Sequence, residues 1–286
     1  MTIGVSRVAD LNAYFNNIFE DAEFIVREQN MMTRLVRSFT DGRGDQIRKL
    51  TEYPEISMSA VAETEDFAAP TQFDKSLIST LTPSELMAQT IITDRRIETD
   101  PQNARADAAL EMGAAGASKY DVDLCSNFSS LTGGTVGAAG STMIWGYFFA
   151  AISRLRNAKI PRPWYAVLHP YHWHALAKTA AVSQTVTNAP EFQDQIMRQW
   201  WVGNVAGVDV FTNANIAVNA TTNDAVSAIY NPNAIAIDIR RDLRLEPERD
   251  ASKRAWELNL TTLYAHGVWR KAWGVYITAD ATAPTS

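Results

Sequence analysis

The stretch "WYAVLHPYHWHALAK", residues 164–178, decides how this chain is read. An apolar run, "WYAVLH", has the length and β-branched or aromatic content of a buried strand. Pro170 follows His169, and proline suits the first turn of a helix, where its missing N–H costs nothing. "PYHWHALAK" therefore reads as a helix. The junction also holds three of the chain's four histidines, His169, His172 and His174. That cluster raises the alternative of a metal-dependent enzyme. On a helix, however, His172 and His174 project about 200° apart. Zinc-binding pairs on helices use spacings of three or four, so this pair cannot share one ion, and His169 lies before the helix. Packing and capping histidines beside Trp173 are the better reading; only a strand here would put His172 and His174 on one face.

Outward from this junction the chain alternates. "APEFQDQIMRQWWVG" reads as a second helix and "AGVDVFTN" as a strand. "AVSAIYN" and "AIAIDI" read as two strands around the turn "NPN". Together they form a compact α/β module. Before it, Trp145, Phe148, Phe149, Ile152 and Leu155 repeat at helical spacing, with Ser141 or Thr142 as the cap and "KIPRP" as the stop. "LTGGTVGAAGST" (131–142) reads as a flexible connector. It lacks the lysine and the glycine spacing of a phosphate-binding loop.

The longest helix candidate is 100–128, with Asp100 as cap and Pro101 in the first turn. Gly113 and Gly116 make the rod thin and offer a place for a kink. Asp121 and Asp123 on it fall on different faces and read as a solvated edge, and Cys125 as buried packing. No catalytic constellation emerges: the predicted catalytic, cofactor and metal residues are none.

The first 48 residues read as a helical arm. Leu11, Phe15, Ile18 and Phe19 share a face that Ala22 and Ile25 extend, and the glycines of "TDGRGD" then break the chain. Residues 49–98 read as two extended arms around an acidic tip at Glu63 to Pro70. An isolated hairpin is marginal in water, so this one needs something to lie on. Near the C-terminus "AWELNLTTLY" alternates, placing Trp256, Leu258, Leu260, Thr262 and Tyr264 on one face. "GVWRKAWGVYIT" reads as a final extended segment and "ADATAPTS" as a frayed tail.

The whole chain narrows the function classes. Its 286 residues can bury roughly 75% of their unfolded surface, and its formal net charge is −6. Broad, tight nucleic-acid binding calls for a basic surface. The single cysteine, Cys125, excludes an internal disulfide and a cysteine-rich zinc site. No run approaches the roughly 20 apolar residues of a membrane span, and there is no signal-peptide core. A reducing cytoplasm is the expected place of folding and assembly.

In their order along the chain, these segments resemble the major capsid proteins of tailed bacteriophages with the HK97 fold. "WYAVLHPYHWHALAK" is similar to that family's strand, His-Pro and helix in the axial domain. "WVGNVAGVDVFTNANI" fits its G-x-[IV]-x-G-[VI]-x-V habit through Gly203, Gly207, Val208 and Val210. "HGVWRKAWGVYI" resembles its closing strands. The resemblance implies an α+β, HK97-like capsid fold. Residues 1–48 would be the N-terminal arm and 49–88 the extended β-hairpin loop over a neighbouring subunit. A peripheral domain would combine 89–142, with a long spine helix at 101–128, and 239–286. An axial domain would span 143–238, with the C-terminal segment able to return to it.

By the same resemblance the chain self-assembles as hexamers and pentamers through its arm and loop into an icosahedral shell. That shell encloses double-stranded DNA without reading its sequence and touches no membrane. Scaffolding would come from a separate protein, because Met1 is followed almost at once by the arm; portal and decoration proteins would be further partners. An encapsulin-like nanocompartment of the same fold, filled with protein, is the alternative.

Overall fold

The computed structural model describes residues 31–58, 60–61, 63, 70–99, 104–182 and 203–284. The expected arm helix over Leu11–Ile25 and the second helix of the α/β module lie outside these residues.

Two sheets and a ribbon organise the chain. The first sheet has the order β1 (Arg37–Phe39), β10 (Ile235–Asp250), β11 (Ala255–Val268), β4 (Ser84–Thr93). β1 runs parallel to β10, while β11 is antiparallel to both β10 and β4. The alternation expected in β11 is present: Leu258, Leu260, Thr262 and Tyr264 are buried. β4 begins at Ser84, so Ser84–Ala88 are sheet residues although they fall within the span read as extended loop. Before β4 come α1 (Met32–Leu35) and the two-stranded ribbon of β2 (Arg48–Glu52) and β3 (Ser76–Leu81). Residues 31–48 are thus a single helical turn, a short strand and a loop rather than a continuation of an arm helix.

After α2 (Asp94–Thr99), the expected rod is α3 (Ala104–Ser126), 23 residues long. That is about 35 Å at the α-helical rise, and it runs on unbroken through Gly113 and Gly116. Gly113, Ala117, Tyr120 and Leu124 recur at three- and four-residue spacing and are buried, with Met112 and Cys125 beside them. Their side chains pack with Leu258, Leu260 and Tyr264 in one core.

The second sheet has the order β5 (Thr135–Thr142), β12 (Gly274–Asp280), β9 (Asp224–Tyr230), β6 (Tyr165–Leu168), β8 (Val208–Thr212), β7 (Asn204–Val205). α4 (Trp145–Asn157) and α5 (Pro170–Val182) cover one face. The strand, proline junction and helix read from 164–178 are β6 and α5.

Four expectations are corrected. The glycine-rich stretch is not a flexible connector: β5 is an edge strand parallel to β12. Gly137 has φ +83°, and a Cβ there would sit 2.2 Å from the Thr278 carbonyl oxygen, so glycine serves close backbone approach. Neither Ser141 nor Thr142 caps α4, whose N-cap position is Ile144 in an extended conformation. Phe149 is exposed and stacks on Trp145, whereas Phe148, Ala151, Ile152 and Leu155 form the buried stripe. The closing segment is interrupted by a 3₁₀ turn at Lys271–Trp273. β12 carries the chain into the second sheet, where Ala279 and Ala281 are buried rather than frayed.

Candidate assembly surfaces

The ribbon is anchored at its root and bare beyond it. Leu50 and Leu81 pack on Ala236 and Ala265, with Phe39 and Trp269 alongside. Beneath them lies a buried ionic knot. Asp238 is fully buried, and its Oδ2 accepts from Arg48 Nε at 2.6 Å and from an Arg240 guanidinium nitrogen at 2.7 Å. The bond to Asp238 raises the pKa of Arg48, so its charge is fixed. Arg48 also lies 4.5 Å over the Phe39 ring and reaches Asp41 at 2.5 Å. Arg240 donates to the carbonyls of Arg43 and Gln46, so the 40–47 loop folds around its guanidinium. A Cβ on Gly42 would collide with that group. Removing one partner from such a knot leaves a buried charge uncompensated, so the root is held rigidly.

Past the root the arms hold each other. Tyr53 and Phe73 stack at 4.5 Å with planes 5° apart, and Lys75 lies over Tyr53. Ile56, Phe73 and Leu77 are more than half exposed, and Met58 is fully exposed. A run of large apolar side chains on a thin projection is the signature of a contact surface rather than of a finished monomer.

A second anchor ties the start of the described chain to the rod. Asp121 is 2% exposed; its carboxylate accepts from the Met32 backbone N–H at 3.0 Å and from Asn213 Nδ2 at 2.8 Å. Burial raises its pKa. Asp123 accepts from Lys119 Nζ and from the Tyr264 hydroxyl. Neither aspartate is the solvated edge that their spacing suggests. They were missed because Met32 and Asn213 are far away in sequence, and no local pattern announces them.

The histidines take structural posts. His172 is fully buried, with Nδ1 2.7 Å from Ser227 Oγ and Nε2 3.1 Å from the Ala279 carbonyl. A carbonyl only accepts, so Nε2 carries the proton and Nδ1 accepts from the serine. Burial lowers the pKa of His172 to about 4 and lowers that of His169. His169 Nδ1 accepts from the Tyr171 backbone N–H. His174 is partly exposed, two residues on from His172 and about 200° round α5. Among the described residues no group of three or more His, Cys, Asp or Glu side chains is placed to hold a metal. Cys125 is buried and its thiol pKa is raised by that burial, which makes it a packing residue.

The sequence matches no protein-family model and no curated protein. Solved structures do share its fold. A structure of Mycobacterium phage Che8 is similar at TM-score 0.71 and 14% identity, over 87% of this chain and 90% of that one. The capsid of cyanophage P-SCSP1u is similar at TM-score 0.69 and 14% identity, over 88% and 89%. A virus-like particle from Pyrococcus furiosus is similar at TM-score 0.60 and 10% identity, over 92% of this chain and 99% of that one. At these identities the likeness is one of fold: the chain has the HK97-like fold of tailed-phage capsid proteins, as its order of segments implied.

Proposed function

We propose that this chain is a major capsid protein, the structural, non-enzymatic subunit of a tailed-phage head. In this reading it self-assembles as hexamers and pentamers into an icosahedral shell that encloses double-stranded DNA. Assembly takes place in the host cytoplasm, with portal, scaffolding and decoration proteins as separate partners. The observation that carries the reading is the ribbon. Its root is locked by the Arg48–Asp238–Arg240 knot, while its arms expose Ile56, Met58, Phe73 and Leu77, which nothing among the described residues covers. A neighbour's surface completes it. Spread over several such contacts, the buried area per subunit exceeds the roughly 1,600 Å² of a standard pairwise interface.

The domain division follows the sheets. The axial domain takes the six-stranded sheet with α4 and α5, and so includes β5 and β12 as well as 143–230. The peripheral domain takes α3 and the β1-β10-β11-β4 sheet. The extended loop is 48–81.

The likeness to the Pyrococcus furiosus particle, which spans nearly all of that chain, favours a second reading: a smaller cage filled with protein. Size-exclusion chromatography and electron microscopy of the purified chain separate the readings. Icosahedral particles, or rings of five and six, support a shell subunit; nuclease-protected duplex DNA in particles from infected cells identifies the phage head. Protein-filled small cages favour the second reading. A stable monomer at every concentration, or stoichiometric bound zinc, removes both.

A further inference from the structure

The chain keeps its acids and bases apart. Residues 50–74 hold six carboxylates and no lysine or arginine, whereas 124–190 hold five lysines and arginines and no Asp or Glu. The first segment is the ribbon loop. In the second, Arg154 and Arg156 lie in the last turn of α4, and Lys159 and Arg162 lie in the loop that follows.

Within one copy the acidic segment meets bases at the ribbon's root, but they come from outside the second segment. Glu52 Oε1 is 3.4 Å from Arg270 Nε. Glu52 and Glu55 form one wall of an open cleft of about 750 Å³, whose other wall includes Ala158, Arg270 and Lys271. Beyond the root the charges stay unmatched. Glu55, Glu63 and Asp74 are exposed and, among the described residues, form no ion pair; Asp74 accepts from Gln72 instead. Arg154, Arg156, Lys159 and Arg162 are exposed and likewise form no ion pair among the described residues, Arg162 lying over the Trp164 ring. Some charges elsewhere are matched, as in Asp94 with Arg249 and Glu85 with Arg241; what sets these two segments apart is that each carries one sign alone. A helix C-terminus favours nearby cations, which accounts for Arg154 and Arg156. It does not account for Lys159 and Arg162 outside the helix, or for the lack of a counter-charge among the described residues.

We propose that these two sets complete one another between copies: carboxylates of one subunit's ribbon pair with the basic corner at the end of α4 in a second subunit. The inference rests on the shell reading above and names the partner surface of the ribbon. A second copy fits better than a nucleic acid because the complementary segment is built into the same chain and is present in equal number. The net charge of −6 also opposes a polyanion at long range. Each exposed pair is weak alone, but opposite patches steer docking and fix its register.

Charge exchange tests it in the full-length chain. One variant carries R154E, R156E and K159E; another carries E55K, E63K and D74K; a third carries all six. The threshold concentration for capsomer or shell formation is measured by light scattering and chromatography, with duplex-DNA binding in parallel. Each one-sided reversal raises the threshold at least about tenfold, since like charges then face each other. The sixfold variant returns to within about threefold of the unsubstituted chain. It contains every substitution in the other two, so its recovery excludes misfolding as their defect. High salt raises the unsubstituted threshold by screening the pairs. A sixfold variant no better than the one-sided ones overturns the proposal, as do one-sided variants that assemble normally. So does a basic-corner reversal whose only effect is loss of duplex binding. An unsubstituted chain that never assembles overturns the shell reading itself, a distinguishable result.

Discussion

At the scale of single residues, His172 and Asp121 show what spacing can and cannot reveal. His172 and His174 diverge on any helix, so their placement on different faces of α5 was legible from the sequence. The post His172 does take was not. Its partners, Ser227 and the Ala279 carbonyl, come from two strands of the second sheet, 55 and 107 residues away. Its buried, neutral ring has a pH consequence. The folded pKa of about 4 lies below the ordinary value of 6.5. As pH falls the unfolded chain takes up the proton first, so stability present above pH 6.5 is lost between there and about 4. The loss from this group by pH 4.5 is on the order of 2–3 kcal/mol. Denaturant unfolding of the unassembled subunit at pH 7 and 4.5 should therefore show a smaller acid loss in His172→Gln than in the unsubstituted chain. Asp121→Ala leaves the Met32 N–H and the Asn213 amide without their acceptor in a buried place, at a cost of about 2–3 kcal/mol. Faster hydrogen exchange at the Met32 amide is the local mark of that loss.

At the scale of elements, strands and helices were legible wherever periodicity had length to work with. The rod, the β6–α5 junction and the alternating face of β11 all stand where their apolar spacing put them. β5 was not legible, because glycine, alanine and serine fill its middle and only Thr135, Val136 and Thr142 are the branched residues by which strands are recognised. Glycine is there for a reason visible only in three dimensions, the backbone of β12 lying against Gly137. Gly137→Ala should cost about 2 kcal/mol or more, since it combines a positive φ with a collision against backbone. A matched Gly44→Ala is the control: Gly44 also has positive φ but has open space around it. If both variants melt alike, close approach is not why glycine occupies β5. The ribbon makes the opposite point. Its poor self-burial was legible, and its locked root was not, because Asp238 and Arg240 lie some 190 residues from Arg48 and the 40–47 loop. Deleting residues 60–72 should therefore weaken assembly, read as loss of rings and shells by microscopy, while leaving the root and both sheets folded by circular dichroism.

At the scale of the whole molecule, the segmented look of the sequence and the connectivity of the structure differ. Arm, hairpin, rod, module and closing strands read as a string of parts. In the structure β9 joins them: Ala225, Ala228 and Tyr230 face the core built on the rod, while Ile229 faces the core under α4 and α5. β12 lies beside β9, so the C-terminal strand seals the sheet that both cores share. Two cores divided by one sheet cannot open separately without exposing a face of the other, and this predicts cooperative unfolding. The subunit lacking residues 60–72 should melt in a single transition, with far-ultraviolet dichroism and tryptophan fluorescence coincident and the calorimetric and van't Hoff enthalpies equal. Trp164 and Trp173 report on the second core, and Trp256 packs against the first. Two separated transitions would mean that the axial and peripheral parts are independent domains joined by β10. In that case shell rearrangements could bend the subunit between them. A single transition means that the body moves as one piece and that only the limbs adjust as neighbours change.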